Sequence, residues 1–308
     1  MIRLARRLFS SSIVPAWLIS VLSILILAAL SGPLSPGSFA RWDSGHYLSI
    51  AKDGYQVEDC NGKICGNAAW LPGYPLLIRM FSPLFPTQEW PGFFLSNACH
   101  LLALMLLARE RPEQRWLLVF FPGSIYFHAI FPLGSFLLAF VLLIYFLSRE
   151  RFLISGLCLA ACIALYSSGL PLLFLSNLYL FYRHYQLIRN LGTLNVLPLI
   201  TIMALFFLFE KETGDPFTYL RQQATYGRSP ENPIGVLVWV AKMGLMEPYP
   251  SVRVAALQTM LVVFCLVSAT YRYFLRPAPK EQDGLILFFS AGLYLLALST
   301  GKNISLYR

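Results

Sequence analysis

Ile13-Val14-Pro15-Ala16-Trp17-Leu18-Ile19-Ser20-Val21-Leu22-Ser23-Ile24-Leu25-Ile26-Leu27-Ala28-Ala29-Leu30 holds no charged residue. At about 18 positions it is long enough, as a helix, to cross the hydrocarbon core of a bilayer. Arg3, Arg6 and Arg7 precede it, which also resembles the start of a signal peptide. The length of the run, and the absence of a small-x-small cleavage site behind it, predict a retained helix instead. Composition points the same way: 57% of the 308 residues are apolar and only 13% charged, which places the chain in a membrane. The expected fold class is an all-α polytopic membrane protein.

Working outward from that run, about nine apolar stretches can be marked, at 13–31, 93–108, 116–131, 133–148, 152–166, 169–182, 193–209, 251–270 and 284–300. Stretches three to six are short or interrupted by Pro and Gly, so tilted or broken helices are expected there. A further stretch, 234–246, is too short to span and suits a re-entrant or interfacial position. All of this reads as one transmembrane domain over 1–308.

Arginines and lysines set the orientation. With the N-terminus in the cytoplasm, the short connectors around Arg109/Arg111/Arg115, Arg149/Arg151, Arg183/Arg189 and Arg272/Arg276/Lys280 fall on the cytoplasmic side, as the positive-inside bias requires. The opposite, exoplasmic face then receives the long segments 32–92 and 210–250 and the tail 301–308. The net charge of +9 is therefore topological, with basic residues dispersed among loops, and argues against a nucleic-acid partner. No Gly-rich phosphate loop, zinc-type Cys/His cluster or Gly-x-Ser-x-Gly elbow is present. Cys60 and Cys65 flank Asn61-Gly62-Lys63-Ile64 in a polar loop and could close a small disulfide if that side is oxidising. A transporter is disfavoured, because no ionisable residue lies deep within a run and no internal repeat is visible.

The elaborate sequence is all exoplasmic, and loops held on a rigid scaffold are where chemistry usually sits. Nucleotide sugars and ATP are cytoplasmic, so a transferase on this face needs a donor delivered through the lipid. Asp43 is the most conspicuous group: a carboxylate beside Trp42, at the edge of a span, opening the turn Ser44-Gly45-His46-Tyr47-Leu48-Ser49-Ile50-Ala51. Two further blocks follow on the same predicted face. Pro72-Gly73-Tyr74-Pro75-Leu76-Leu77-Ile78-Arg79 forces a turn and then continues into an apolar, interfacial stretch. Thr213-Gly214-Asp215-Pro216-Phe217-Thr218-Tyr219-Leu220 leads to Gln223 and Tyr226-Gly227-Arg228-Ser229-Pro230, and the chain ends at Ser305-Leu306-Tyr307-Arg308.

In that order, these blocks resemble the motifs of the GPI second-mannose transferase family and its bacterial relatives (PIG-V-like), which are C-type membrane glycosyltransferases. The resemblance implies a GT-C-like fold of about nine transmembrane helices with a long first exoplasmic loop carrying interfacial helices. It implies transfer of a hexose, mannose in that family, from a polyprenyl- or dolichyl-phosphate donor to a glycan or glycolipid acceptor. Two elements of the family pattern differ: Ile130-Phe131-Pro132-Leu133-Gly134-Ser135 lacks the family's Glu, and Ser167-Ser168-Gly169 lacks its Arg. Relatives are also expected to continue past Arg308 into another span, so either the chain is truncated there or a partner membrane subunit supplies that helix. These departures support the alternative of a non-catalytic subunit or pseudoenzyme.

Asp43 is the expected general base, with Arg221, Arg228 and Arg308 as phosphate holders and Arg41, Trp42, His46, Tyr74, Asp215 and Gln223 as further substrate-binding candidates. One carboxylate suffices for attack on a sugar phosphate, because the leaving phosphate needs no protonation; the charge developing on it calls for the fork of Arg. Structural readings stand beside these. Asp43 could simply cap the 44–52 helix. Arg41 and Trp42 could be interfacial anchors, Asp215 a turn former, Arg221 and Arg228 headgroup contacts, and His46 and His128 packing or hydrogen-bonding residues. Exoplasmic carboxylates could hold a divalent cation, but no ligand spacing argues for one.

Overall fold

The computed structural model describes residues 13–32, 35–60, 63–110, 119, 125–183, 187–226, 231–275 and 281–299. These are helical almost throughout. Helix α1 (Ile13–Ser31) is followed by a 3-10 turn (Pro36–Phe39), α2 (Ser44–Asp53), the strands β1 (Val57–Cys60) and β2 (Lys63–Gly66), and α3 (Gly73–Phe81). Next come α4 (Glu89–Glu110), the single turn α5 (Ile125–His128), α6 (Leu133–Leu147), α7 (Phe152–Leu165) and α8 (Gly169–Arg183). The remainder is α9 (Leu187–Thr213), α10 (Thr218–Thr225), α11 (Pro233–Met246), α12 (Pro250–Leu275) and α13 (Glu281–Leu298).

Among the described residues, 4 helical stretches are long and apolar enough to cross a membrane: Ile13–Leu30, Glu89–Arg109, Arg189–Thr213 and Val252–Leu275. Leu133–Leu147, Phe152–Leu165, Pro233–Met246 and Asp283–Leu298 are shorter apolar helices. The fold fits an all-α membrane protein. Of the expected runs, 116–131 falls half outside the described residues.

The chain divides into two compact units. The first comprises Met1–Gln56, Trp70–Val141 and Ala164–Tyr166. In it α1 packs on α4 through Ile13, Ala16, Leu104 and Ala108, with Val119 in the same apolar core. Gly134 lets α6 approach the backbone of Ser96 on α4 so closely that a Cβ would collide with that carbonyl. Polar side chains lie within this apolar packing. His128 Nε2 meets Ser20 Oγ at 3.0 Å and its Nδ1 meets Asn97 Oδ1 at 2.7 Å. His100, halfway along α4 and fully buried, stacks on Phe127 and touches the His128 ring edge-on. The expectation that no ionisable group lies deep within a run is therefore corrected: His100 does. Its ring neighbours come from another run, 116–131, so only the fold brings them together. His128 has the hydrogen-bonding environment foreseen for it.

The second unit comprises Val57–Ala69, Leu142–Ile163 and Ser167–Arg308. Its hairpin pairs β1 and β2 antiparallel, Val57 opposite Gly66 and Cys60 opposite Lys63, and a Cys60–Cys65 disulfide closes it. Helix α11 lies along α12, with Val236, Val240, Ala256 and Leu298 at their common core with α13. Between α8 and α9, Asn177 and Asn195 exchange amide hydrogen bonds at 3.0 and 2.6 Å. Such a pair satisfies both amides where lipid offers no partner.

Candidate active site

Asp43 occupies the N-cap position of α2, as the capping alternative foresaw, but its side chain makes no capping hydrogen bond. The start of the helix is held instead by Ser44, which is fully buried. Ser44 Oγ accepts from the Arg41 N–H at 3.0 Å. Its one proton lies within reach of the carbonyl oxygens of Arg41 (2.6 Å) and Ile130 (2.7 Å). The Ile130 N–H in turn donates to the Phe39 carbonyl at 3.0 Å. The chain entering α2 is thus stitched to the segment leading into α6 from both sides.

The other end of α2 is equally fixed. Gly54 turns the chain at φ 84°, in the left-handed region that glycine adopts without strain, and returns its N–H to the Ile50 carbonyl. Arg79 of α3 reaches across to donate Nε to Ala51 O at 2.7 Å and Nη2 to Ile50 O at 3.0 Å. A cation on the terminal carbonyls also complements the negative end of the helix dipole. Arg79 lies in the Pro72–Arg79 block, and its partners identify it as a positioning residue that sequence reasoning did not single out.

Trp42 precedes the carboxylate at φ 53°. A bulky residue in the left-handed region carries real backbone strain, and such strain persists only where the surroundings impose it. Here the indole packs on Tyr126, ring centres 4.4 Å apart, and still leaves 49% of the residue exposed. One helical turn after Asp43, the His46 ring stacks flat on Trp70 at 3.5 Å. Burial lowers the His46 pKa from its usual 6.5, and the Asp43 charge works against that by raising it. Arg41 is exposed at the same end of α2, its Nε donating to the Ser38 carbonyl at 2.9 Å. A half-buried carboxylate, a partly exposed indole, an imidazole and a guanidinium therefore converge on the N-terminal end of α2.

Tyr74 is not part of that exposed cluster. It is fully buried, and its hydroxyl lies between Gly92 O (2.7 Å) and Ser96 Oγ (2.6 Å). Its ring meets Tyr47 edge-on and so supports the inner face of α2. Burial pushes its hydroxyl pKa well above the ordinary tyrosine range.

In the second unit, Asp215 behaves as the turn former its alternative reading described. Its Oδ1 accepts the Phe217 N–H at 3.0 Å, starting α10, while Gly214 takes the left-handed φ of 73° before it. Its Oδ2 faces Arg221 Nε at 3.3 Å across one turn. Gln223 donates Nε2 to the Ala69 carbonyl at 2.6 Å, fastening α10 to the end of the disulfide hairpin. The Asp215, Arg221 and Gln223 groups expected at substrate therefore all have protein partners. Arg228 and Arg308 lie outside the described residues. Among the described residues no group of three or more His, Cys, Asp or Glu is arranged to hold a metal ion.

No family model matches the chain, and no solved structure does. A stretch of 71 residues, 23% of this chain, is 34% identical to "GPI alpha-1,6-mannosyltransferase 2" of Rattus norvegicus, and equally to the proteins of that name from Mus musculus and Cricetulus griseus. The match covers 13% of the length of each of these relatives. Over that stretch, this helical membrane chain is similar to a GPI mannosyltransferase.

Proposed function

We propose that the protein is a multi-pass membrane glycosyltransferase that moves a hexose, mannose by similarity, from a polyprenyl- or dolichyl-phosphate donor to a hydroxyl of a lipid-linked or surface glycan. The observation that carries this reading is Asp43, a half-buried carboxylate at a helix entrance organised by Ser44, beside the exposed Arg41 and Trp42 and close enough to His46 to act on its charge. In the reaction Asp43 takes the proton from the acceptor hydroxyl as that oxygen attacks the anomeric carbon. The bond from anomeric carbon to phosphate oxygen breaks, the lipid phosphate leaves with the electron pair, and the centre inverts. Arg41, beside the base in sequence, is the first candidate to meet the developing phosphate charge, with Arg221, Arg228 and Arg308 as further cations.

The Cys60–Cys65 disulfide supports an exoplasmic position for the 32–92 segment, since such bonds persist in oxidising compartments. That is the face a lipid-borne donor serves. Asp43→Asn in the purified protein is the test: transfer from a lipid-phosphate sugar should be abolished with the fold retained. Wild-type turnover in that variant would overturn the assignment. The second reading, a non-catalytic subunit that retains the loop, draws on the absence of a Glu in 130–135 and of an Arg in 167–169. It would be favoured if the wild-type protein transferred no sugar alone but restored transfer when combined with a partner membrane subunit.

A further inference from the structure

Helix α10 buries Thr218, Tyr219 and Gln222 and exposes Leu220, Arg221 and Ala224. Most polar groups on this segment are answered. Thr218 Oγ1 donates to Asp215 O at 2.8 Å and faces Thr213 Oγ1 at 2.8 Å, and Gln223 donates to Ala69 O. Gln222 differs. It is fully buried, and among the described residues neither its Nε2 nor its Oε1 has a hydrogen-bond partner. The segment holds a second such atom, Asp215 Oδ2, which is buried without a hydrogen bond although the Arg221 charge lies beside it.

An unpartnered buried amide is unfavourable, whereas Met or Leu would fill a comparable volume without that cost. Both amide atoms are closed off from solvent, so bulk water does not satisfy them in this conformation. A primary amide presents a donor and an acceptor on one plane, which is the complement of a hydroxyl that both accepts and donates. Resting on the glycosyl-transfer reading above, we infer that Gln222 is a specificity residue that hydrogen-bonds a sugar hydroxyl, and that the amide reaches it through a shift of its side chain or of α10 on binding. Sites built to hydrogen-bond a hydroxyl reject analogues lacking it far more strongly than apolar pockets reject a missing methylene. Gln222 would thus read which sugar is present, either the one transferred or the one accepting it.

The experiment compares wild type with Gln222→Met in detergent or nanodiscs. The unfolding midpoint of the apo variant should be unchanged or raised, because an orphan amide has been removed. Its KM should rise at least about tenfold for the substrate whose hydroxyl is read. Titrating dolichyl-phosphate mannose at saturating acceptor, and the acceptor at saturating donor, tells the two sources apart. Wild type should discriminate against the deoxy analogue of that sugar, and the variant should not. Unaltered KM values and unaltered deoxy discrimination in a stable variant would overturn the inference. If Gln222→Met fails to fold, Gln222→Leu carries the same comparison. Thermal shift with methyl α-mannoside separates this inference from its parent. An inactive wild type that mannoside stabilises only when Gln222 is present would sink glycosyl transfer and keep sugar binding. An active wild type that mannoside stabilises equally without Gln222 would do the reverse.

Discussion

Helices α2 and α10 look alike in sequence: each is short, each follows a long apolar helix, and each has an Asp just before its first turn. Their carboxylates differ in what they do. Asp215 accepts the Phe217 N–H with one oxygen and faces Arg221 with the other, so its local surroundings account for it. Asp43 sits at the cap position without capping, because Ser44 and the Ile130 carbonyl already order that end and Arg79 orders the far end. A helix whose ends are secured by other residues does not need its terminal carboxylate as a cap. A helix whose end depends on its carboxylate does.

The largest effect expected from this contrast is on turnover. Asp43→Asn should lower transfer by about 10²- to 10⁴-fold, the usual contribution of a general base, with little change in unfolding temperature. Asp215→Ala should do the opposite: turnover within a few-fold of wild type, and a stability loss of about 1 kcal/mol from the lost acceptor in the turn. Assaying sugar transfer and thermal unfolding on both variants is enough. If the two exchanged phenotypes, the distinction between capping and catalytic carboxylates would be lost.

The long helices were legible in the chain because apolar length alone specifies them. The runs at 13–31 and 251–270 correspond to Ile13–Ser31 and Pro250–Leu275. The hairpin was less legible: the Cys60–Cys65 spacing marked a loop, while its placement on α10 depends on long-range contacts. Asp43 could be singled out from its setting, but its separation from Asp215 could not, because the residues that relieve it of capping, Ser44 through Ile130 and Arg79, lie far along the chain. The two glutamines show the same limit. Gln223 fitted the sequence motif and proved to fasten the hairpin, while its neighbour Gln222, turned about 100° around the helix, carries the unanswered amide.

The next effects sharpen the comparison through stability. Arg79→Met should destabilise the first unit by about 2 kcal/mol, since two charge-assisted bonds to Ile50 and Ala51 disappear. It should also reduce turnover through displacement of α2, and hydrogen exchange should rise across residues 44–53. Reducing Cys60–Cys65, or replacing both with Ser, should remove at most about 2 kcal/mol for so short a loop. There exchange should rise at 218–225, where α10 rests on the hairpin, and stay unchanged at 44–53. Equal effects of the two changes on both helices would show that the helices are not separately secured.

The smallest effect is a pH dependence confined to the α2 side. Burial holds the His46 pKa below 6.5 despite the neighbouring Asp43 charge, so the folded protein binds fewer protons at this site than the unfolded chain. Stability from His46 is therefore fully present above pH 6.5 and is lost as pH falls below that value toward the folded pKa. His46→Phe keeps an aromatic ring on Trp70 and removes the titrating group, so unfolding temperature should vary less between pH 5 and pH 7 than in wild type. Asp43→Asn should steepen the dependence instead, because the charge that raises the imidazole pKa has gone. A flatter profile in Asp43→Asn would mean that the carboxylate is not close enough to act on His46, and the grouping of base, imidazole and indole at the head of α2 would no longer hold.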